Sequence, residues 1–252
     1  PLPAAAAPAG AGRDPPRVVL EAPGSTVLLK PPGWEVDSTQ GSVVEGASPL
    51  SSFLGARAPA SAVVRSAAHG FGFVHRLDTP SSGLVIQATS YEGFFDLCIQ
   101  RELGRLQRDY VALCHGHVTC DLDISEPILK VRGGRSQVSP RGHPASTRLK
   151  VLAHLDREGS PLSLLGLTIS TGRTHQIRCH LSHVGHPVVG DGMYGPRTDP
   201  GWCARHFLHR YRLGFRDLAG AARSAAHALP ADLRAVLAGL RALRGGREAE
   251  LW

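Results

Sequence analysis

Apolar residues recur along this chain in two rhythms, one of strands and one of helices. Val18-Val19-Leu20 and Val27-Leu28-Leu29 are short apolar runs split by Pro23-Gly24 and closed by Pro31-Pro32-Gly33, which predicts two strands joined by a turn. The Ser-, Gly- and Ala-rich region from Asp37 to Ala68 reads as loop. Phe71, Phe73, Val74 and Leu77, then Leu84-Val85-Ile86 after Ser81-Ser82-Gly83, predict two partly buried strands with Asp78 in the turn between them. Ser90 is placed to cap a helix in which Phe94, Leu97, Cys98 and Arg101 share a face, with Gly104 weakening its end. Asp109 to Cys114 alternates as a strand, and Leu149–Leu155 and Leu162–Ile169 pair as a hairpin across Asp156-Arg157-Glu158-Gly159-Ser160.

From Thr174 the period changes. Ile177, Leu181 and Val184 recur at helical spacing, with Thr174 as cap and Gly185 and Pro187 as terminators. His175 and Arg178 then lie on nearly the same side of that helix, and Ile177 turns toward the core. Phe207, His209, Tyr211 and Leu213 alternate as a late strand, and Leu233, Val236, Leu237, Leu240 and Leu243 form the stripe of a last helix beginning near Pro230. There is no internal repeat and no glycine-rich phosphate loop.

At 252 residues, 42% hydrophobic and 19% charged, the chain can bury the core of one globular domain or of two closely joined lobes. A net charge of +7 favours a polyanionic partner without requiring one. Its distribution is more telling: between Glu126 and Asp156 there is no acidic residue, while Lys130, Arg132, Arg135, Arg141, Arg148 and Lys150 all fall there, as either a solvated basic loop or a phosphate-contacting surface. The five cysteines, Cys98, Cys114, Cys120, Cys179 and Cys203, are odd in number and lack C-x-x-C spacing, so they read as buried thiols of a reducing compartment. No stretch reaches the ~18 apolar residues of a membrane span, which points to a soluble intracellular protein, cytoplasmic or organellar. Residues 1–17, Ala- and Pro-rich at their start, read as a disordered leader, either the remnant of a presequence or a linker.

Two segments carry the candidate chemistry: His75-Arg76-Leu77-Asp78, and Gly172-Arg173-Thr174-His175-Gln176-Ile177-Arg178. Both set charges among residues hydrophobic enough to be buried. A buried carboxylate without a partner is neutralised, whereas one beside an arginine stays ionised and is a usable nucleophile.

His75-Arg76-Leu77-Asp78-Thr79-Pro80-Ser81-Ser82-Gly83-Leu84 resembles the H-R-L-D-x-x-T-S-G-L signature of the RluA family of RNA pseudouridine synthases. Gly172 to Arg178, continued by His180-Leu181, Gly185-His186-Pro187, Gly190-Asp191 and Tyr194-Gly195, is similar to that family's later blocks in the same order. Weaker likenesses lie at Lys30-Pro31-Pro32-Gly33, at Asp109 to Leu113 and at Gly142 to Thr147, so the resemblance spans about Val18 to Leu240. It departs at Ser81, where Thr is usual, and at Cys179, where an aliphatic residue is usual. No separate small RNA-binding domain is recognisable before Trp34, so the catalytic domain itself is expected to make most RNA contacts.

The resemblance implies an α+β catalytic domain over residues 18–252, a mixed, mainly antiparallel sheet with flanking helices, isomerising uridine to pseudouridine in structured ribosomal or transfer RNA. Asp78 would be the catalytic carboxylate, attacking C1′ or C6 or abstracting a ribose proton. Arg178 would hold it ionised. Tyr110 would stack on the uracil and offer a hydroxyl to remove the C5 proton, with Ile177 closing the other face. The uridine must leave its stack, and His75 and Arg76 would fill the gap or contact phosphate, with Arg173 and His175 adding anion contacts. The chemistry asks for no metal or redox cofactor, and no membrane or obligate protein partner is implied. Two rivals stand beside this reading: a zinc site among His175, Cys179, His180, His183 and His186, whose spacing fits poorly, and a non-catalytic RNA-binding or ribosome-assembly protein retaining the fold.

Overall fold

Strand β1 (Arg17–Ala22) turns at Pro23-Gly24 into β2 (Ser25–Lys30), the two pairing antiparallel from Arg17↔Leu29 to Ala22↔Ser25 in a computed structural model that describes residues 14–36, 48–58, 60–196 and 201–243. The leader expected over residues 1–17 lies outside the described residues up to 13, and Arg17 is already in a strand. Contacts divide the chain into two compact units, Pro1–Leu103 with Gly214–Ala225, and Gly104–Leu213 with Ala226–Trp252.

In the first unit β1 alternates between exposed and half-buried residues, whereas β2 is buried throughout because a neighbour covers each edge. After a short parallel bridge between β3 (Trp34–Glu35) and β4 (Ser48–Pro49), helix α1 spans Leu50–Arg57. This corrects the expectation of loop for the described part of 37–68: Leu50 and Leu54, one turn apart, are enough to bury one face against Trp34, Val63 and Val85. A second correction concerns the approach to Asp78. Residues 67–72 form 3₁₀ turns, with Gly70 and Phe71 both at positive φ, and only Phe73 bridges Gln87, so no strand precedes the acid. Strand β5 (Ser82–Ala88) then pairs with β2, Val85 opposite Leu28. Helix α2 (Tyr91–Glu102) starts as expected, Ser90 Oγ accepting from the Gly93 N–H at 3.2 Å. Gly93 is required by packing, since a Cβ there would sit 2.1 Å from the Gly24 carbonyl oxygen.

The second unit holds β6 (Gln107–His115), β7 (Leu122–Ile124), β8 (Ile128–Lys130), β9 (Ser136–Val138), β10 (Thr147–Arg157) and β11 (Ser160–Ile169). β11 lies between β6 and β10, antiparallel to both, and β8 and β9 form a separate hairpin. β6 is buried on both faces from Arg108 to Cys114, so the alternation of its sequence is not matched by an exposed side. The β10–β11 hairpin closes on Glu158-Gly159, both at positive φ, the conformation of a type I′ turn.

Helix α3 spans Gln176–His183, one residue later than a Thr174 cap predicts. His175, not Thr174, occupies the cap position, in a left-handed conformation with no side-chain cap, so it is not stacked on the helix beside Arg178. The end is as expected: Gly185 N–H reaches the Ser182 carbonyl and His186 N–H the Leu181 carbonyl, a Schellman motif with Gly185 at positive φ.

Strand β12 (Leu208–Arg216) carries its last three residues into the first unit, where β13 (Ala222–Ala226) pairs with it. Helix α4 (Ala231–Ala238) is shorter than its apolar stripe suggested. Leu240 and Leu243 lie beyond it, around β14 (Arg241–Ala242), which adds to β10. The unit's core gathers Val111, Leu113, Leu162, Leu164, Phe207 and Leu233. Cys114, Cys179 and Cys203 are buried and Cys98 half-buried, but Cys120 is exposed, because it lies in the irregular segment before β7. No helix among the described residues is long and apolar enough to cross a membrane.

Candidate active site

The first unit presents Asp78 on a short loop clamped from behind. The Asp78 carbonyl accepts from the Ser81 N–H at 3.0 Å, and the next carbonyl, that of Thr79, accepts from the Gly33 N–H at 2.8 Å and from Lys30 Nζ at 3.2 Å. Lys30 is fully buried and also donates to the carbonyls of Pro31 and Trp34, at 3.0 and 2.8 Å. An ammonium in that position is a three-way donor that fixes the Lys30-Pro31-Pro32-Gly33 turn to the loop after the acid. The Lys30-Pro31-Pro32-Gly33 motif is visible in the sequence, but the donor role of Lys30 is not. Arg101 Nη1 donates to the Val74 carbonyl at 2.6 Å, and His75 Nε2 accepts from the Ile86 N–H at 3.3 Å. Asp78 and His75 are half-buried, while Arg76 is exposed.

In the second unit Tyr110 lies on β6 opposite Leu167 and is buried. Arg210, on β12, donates from Nη2 to the Tyr110 hydroxyl and places its guanidinium over the ring, 4.8 Å from the centroid. Nothing in the apolar alternation of β12 marked Arg210, because charged residues are seldom buried at 1% exposure.

Arg178 is buried on α3 and forms a two-pronged pair with Asp191, Nε to Oδ2 at 2.6 Å and Nη2 to Oδ1 at 2.8 Å. Asp191 also accepts from the backbone N–H groups of Met193 and Tyr194, and His206 Nε2 stands 3.7 Å away. Burial alone would raise the Asp191 pKa. The bonds and charge of Arg178, helped by His206 and the Met193 N–H, outweigh it and hold the carboxyl below its ordinary value.

Tyr194 joins these groups. Its hydroxyl accepts from the Ser136 N–H at 2.7 Å, lies 3.1 Å from the Ser136 carbonyl oxygen and 3.1 Å from His175 Nδ1, and its ring carries the guanidinium carbons of Arg135 and Arg178 at 5.1 and 5.0 Å. His175 and Arg178 therefore do meet, through Tyr194 rather than along one helix face. Burial raises the Tyr194 pKa despite these partners. Ile177 is buried, and Arg173 is exposed with Nε donating to the Pro144 carbonyl at 2.9 Å. Asp191 and Tyr194 were legible as motif letters in Gly190-Asp191-x-x-Tyr194-Gly195, but the letters gave no partners.

Gln176, a letter of the second motif with no role assigned from sequence, has one in the structure. Its Oε1 accepts from Thr171 Oγ1 and the Arg173 N–H, and its Nε2 donates to the Ser146 carbonyl and Thr147 Oγ1, all within 2.8–3.1 Å. This amide does the work expected of a Thr174 cap, fixing the backbone of the Gly172–His175 turn while His175 takes its strained φ.

Three of the four candidate zinc histidines, His175, His180 and His186, engage other partners. His180 engages Thr147 Oγ1 and the Glu126 carbonyl, and His186 Nδ1 the His115 carbonyl. Among the described residues no three His, Cys, Asp or Glu side chains are grouped as metal ligands. The cations of the acid-free stretch, Lys130, Arg132, Arg135, Arg141, Arg148 and Lys150, are all exposed, with Arg148 paired to Asp123 at 3.0 Å.

Comparison with known proteins places this arrangement. The family model described as RNA pseudouridylate synthase matches residues 26–183. An uncharacterized RNA pseudouridine synthase of Chloroflexus aurantiacus is 39% identical over 169 residues, 66% of this chain and 52% of its own length. Ribosomal large subunit pseudouridine synthase D of Escherichia coli is 37% identical over 131 residues, 51% of this chain and 39% of its own. The chain thus spans about half the length, or less, of these curated relatives. Among solved structures, human RNA pseudouridylate synthase domain containing 1 superposes with a TM-score of 0.70 at 25% identity, covering 91% of this chain and 89% of that one. The chain belongs to the RNA pseudouridylate synthase family, of the RluA type whose motifs it carries.

Proposed function

We propose that this protein isomerises specific uridines to pseudouridine in structured RNA, with Asp78 as the catalytic carboxylate. The reaction breaks the bond from uracil N1 to ribose C1′, turns the base in its pocket, joins C5 to C1′ and releases the C5 proton, while N1 takes up a proton from solvent. Asp78 supplies the negative oxygen for the first stage. Tyr110 provides an aromatic face for the uracil and an oxygen for the C5 proton, with Ile177 as the aliphatic wall. Arg178 is the cation that keeps the acid charged. His75 and Arg76 act on the flipped-out strand, and Arg173 and His175 on its phosphates.

One observation carries the reading: the family match over residues 26–183 encloses Asp78, Tyr110 and Arg178 together. The backbone under Asp78, pinned by Lys30, is the kind of rigid support that a reacting group requires. The names of relatives such as ribosomal large subunit pseudouridine synthase D make large-subunit ribosomal RNA the first substrate to try, with transfer RNA second.

The test is tritium release from RNA labelled at uridine C5. The wild-type chain should release tritium and Asp78→Asn should not, while both retain RNA in a filter assay. Equal release by both removes Asp78 from the chemistry. Retention of RNA with no release by either supports a binding protein that keeps the fold.

A further inference from the structure

We infer that Tyr194 is a positioning residue that ties phosphate capture on the β8–β9 hairpin to the orientation of Arg178. The inference rests on the reading of the protein as a pseudouridine synthase, but its observations stand apart from Asp78 and all lie within the second unit. The hairpin tip, Arg132-Gly133-Gly134-Arg135, has both glycines at positive φ with open space around them, and Lys130, Arg132 and Arg135 are exposed there. Such a tip presents cations to a polyanion with little other structure to hold it.

Beside the Ile128–His143 backbone pair, Tyr194 ties the hairpin to the rest of the unit. Its hydroxyl bridges the backbone N–H and carbonyl of Ser136. A phenol has one proton and two lone pairs. With the proton given to the Ser136 carbonyl, the oxygen accepts from the Ser136 N–H and has one place left, which His175 fills when its proton is on Nδ1. The ring then serves two guanidinium groups, that of exposed Arg135 and that of buried Arg178. The Tyr194 main chain closes the circuit, since its N–H donates to Asp191, the partner of Arg178, and its carbonyl accepts from Ser182 Oγ on α3.

A phosphate that draws Arg135 off the ring changes the electrostatics felt by Arg178, because both cations approach the same ring. RNA seated on the hairpin thereby sets the strength with which Arg178 is held over Tyr194, and an empty hairpin leaves it in a different balance. Lys130, exposed at the end of β8 on the same hairpin, contributes to affinity through its charge.

The experiment separates half-saturating RNA concentration from kcat in the tritium assay. Arg135→Gln should raise half-saturation and also lower kcat about fivefold, the size of one cation–π contact converted to a rate. Lys130→Gln should raise half-saturation with kcat within about twofold of wild type. Tyr194→Phe loses the bridge to Ser136 that seats the hairpin and Arg135 against the ring, and should lower kcat about tenfold with an unchanged salt slope, since no phosphate-binding cation is lost. In the double variant Arg135→Gln should lower kcat no further. Full additivity, or an Arg135→Gln effect confined to half-saturation, overturns the inference.

Hydrogen exchange on the complex with ribosomal RNA reads the same coupling without turnover. RNA should slow exchange in both β9 and α3 of the wild-type chain and in β9 alone in Tyr194→Phe. Protection of β9 alone in the wild type refutes the coupling. Failure of the underlying functional reading looks different: no tritium release at all, with the exchange pattern still deciding the role of Tyr194.

Discussion

Arg178 and Asp191 face each other through two parallel hydrogen bonds of 2.6 and 2.8 Å, with side chains only 4% and 0% exposed. Taking both charges out of water is recovered only because the fork geometry is complete and two backbone N–H groups add their bonds to Asp191 Oδ1. Asp191→Asn leaves the guanidinium buried with half its partner, at a cost of about 3 kcal/mol in urea unfolding and with at least a tenfold loss of tritium release. The pair Arg178→Met with Asp191→Leu should recover most of the stability and none of the turnover. Recovery of turnover would mean that Arg178 has only a structural role.

Gln176 concentrates four hydrogen bonds in one buried amide. Gln176→Leu keeps volume but leaves the Arg173 N–H and Ser146 carbonyl unmatched, so a loss of about 2–4 kcal/mol is expected in denaturant unfolding. Gln176→Glu should be no better, because a carboxylate oxygen would face the Ser146 carbonyl where an N–H now donates. A neutral result for either change would show that the turn ahead of α3 holds itself.

These cases mark where sequence was a sufficient guide. The α2 cap at Ser90 and the β10–β11 hairpin were legible because local chemistry and burial agree there: a hydroxyl before an apolar helical face, and a Gly-bearing turn between two apolar runs. Around His175 they disagree. Thr174 is the better local cap, yet the helix begins beyond a left-handed His175 next to Gln176, whose amide bonds a carbonyl 30 positions away, which no local rule encodes. The strand expected before Asp78 failed for a related reason, since its apolar residues are buried by 3₁₀ turns rather than by a ladder. The last helix stopped early because Gly239 follows Ala238, and β14 used Arg241 and Ala242 to cover the edge of β10. Of the candidate site, the motif letters named Asp78, Tyr110 and Arg178, whose roles are those we propose, but the partners Lys30, Arg210, Asp191 and Tyr194 required three-dimensional neighbours to be recognised.

Glu158 sits at φ 52 beside Gly159 at φ 84, so a side chain with a Cβ occupies the first position of a type I′ turn. Its ion pair with Arg157 is long, 3.9 Å, and exposed, so it contributes little. Glu158→Asn should therefore stabilise the protein by about 0.5 kcal/mol, seen as a small rise in melting temperature with unchanged RNA binding. A fall in melting temperature would mean that the turn draws on contacts of the glutamate beyond that pair.

His209 gives the protein a pH dependence above the range of its carboxylates. It is buried on β12, with Nε2 3.3 Å from the His227 carbonyl, and its pKa is lowered to about 4. Burial is the main cause. Charge on His227 and Arg205 adds to it, against the opposing hydrogen bond to His227 and the charge of Asp232. Between the ordinary histidine value near ~6.5 and that lowered value, the unfolded chain takes up a proton that the folded chain refuses. The contribution is thus present in full above the ordinary value and is lost as the pH falls toward 4, by roughly 3 kcal/mol. His115 and His180, both also lowered by burial, slope the same way, so the measure is a difference between proteins. His209→Gln keeps an amide donor for the His227 carbonyl and cannot titrate. Its unfolding free energy should fall less steeply than that of the wild type from pH 6.5 to 4. Below pH 4 the two should fall in parallel as Asp191, whose pKa is depressed, begins to lose the stability that its charge supplies. Identical slopes above pH 4 would place the proton on His209 in the folded protein and contradict its burial as a neutral ring.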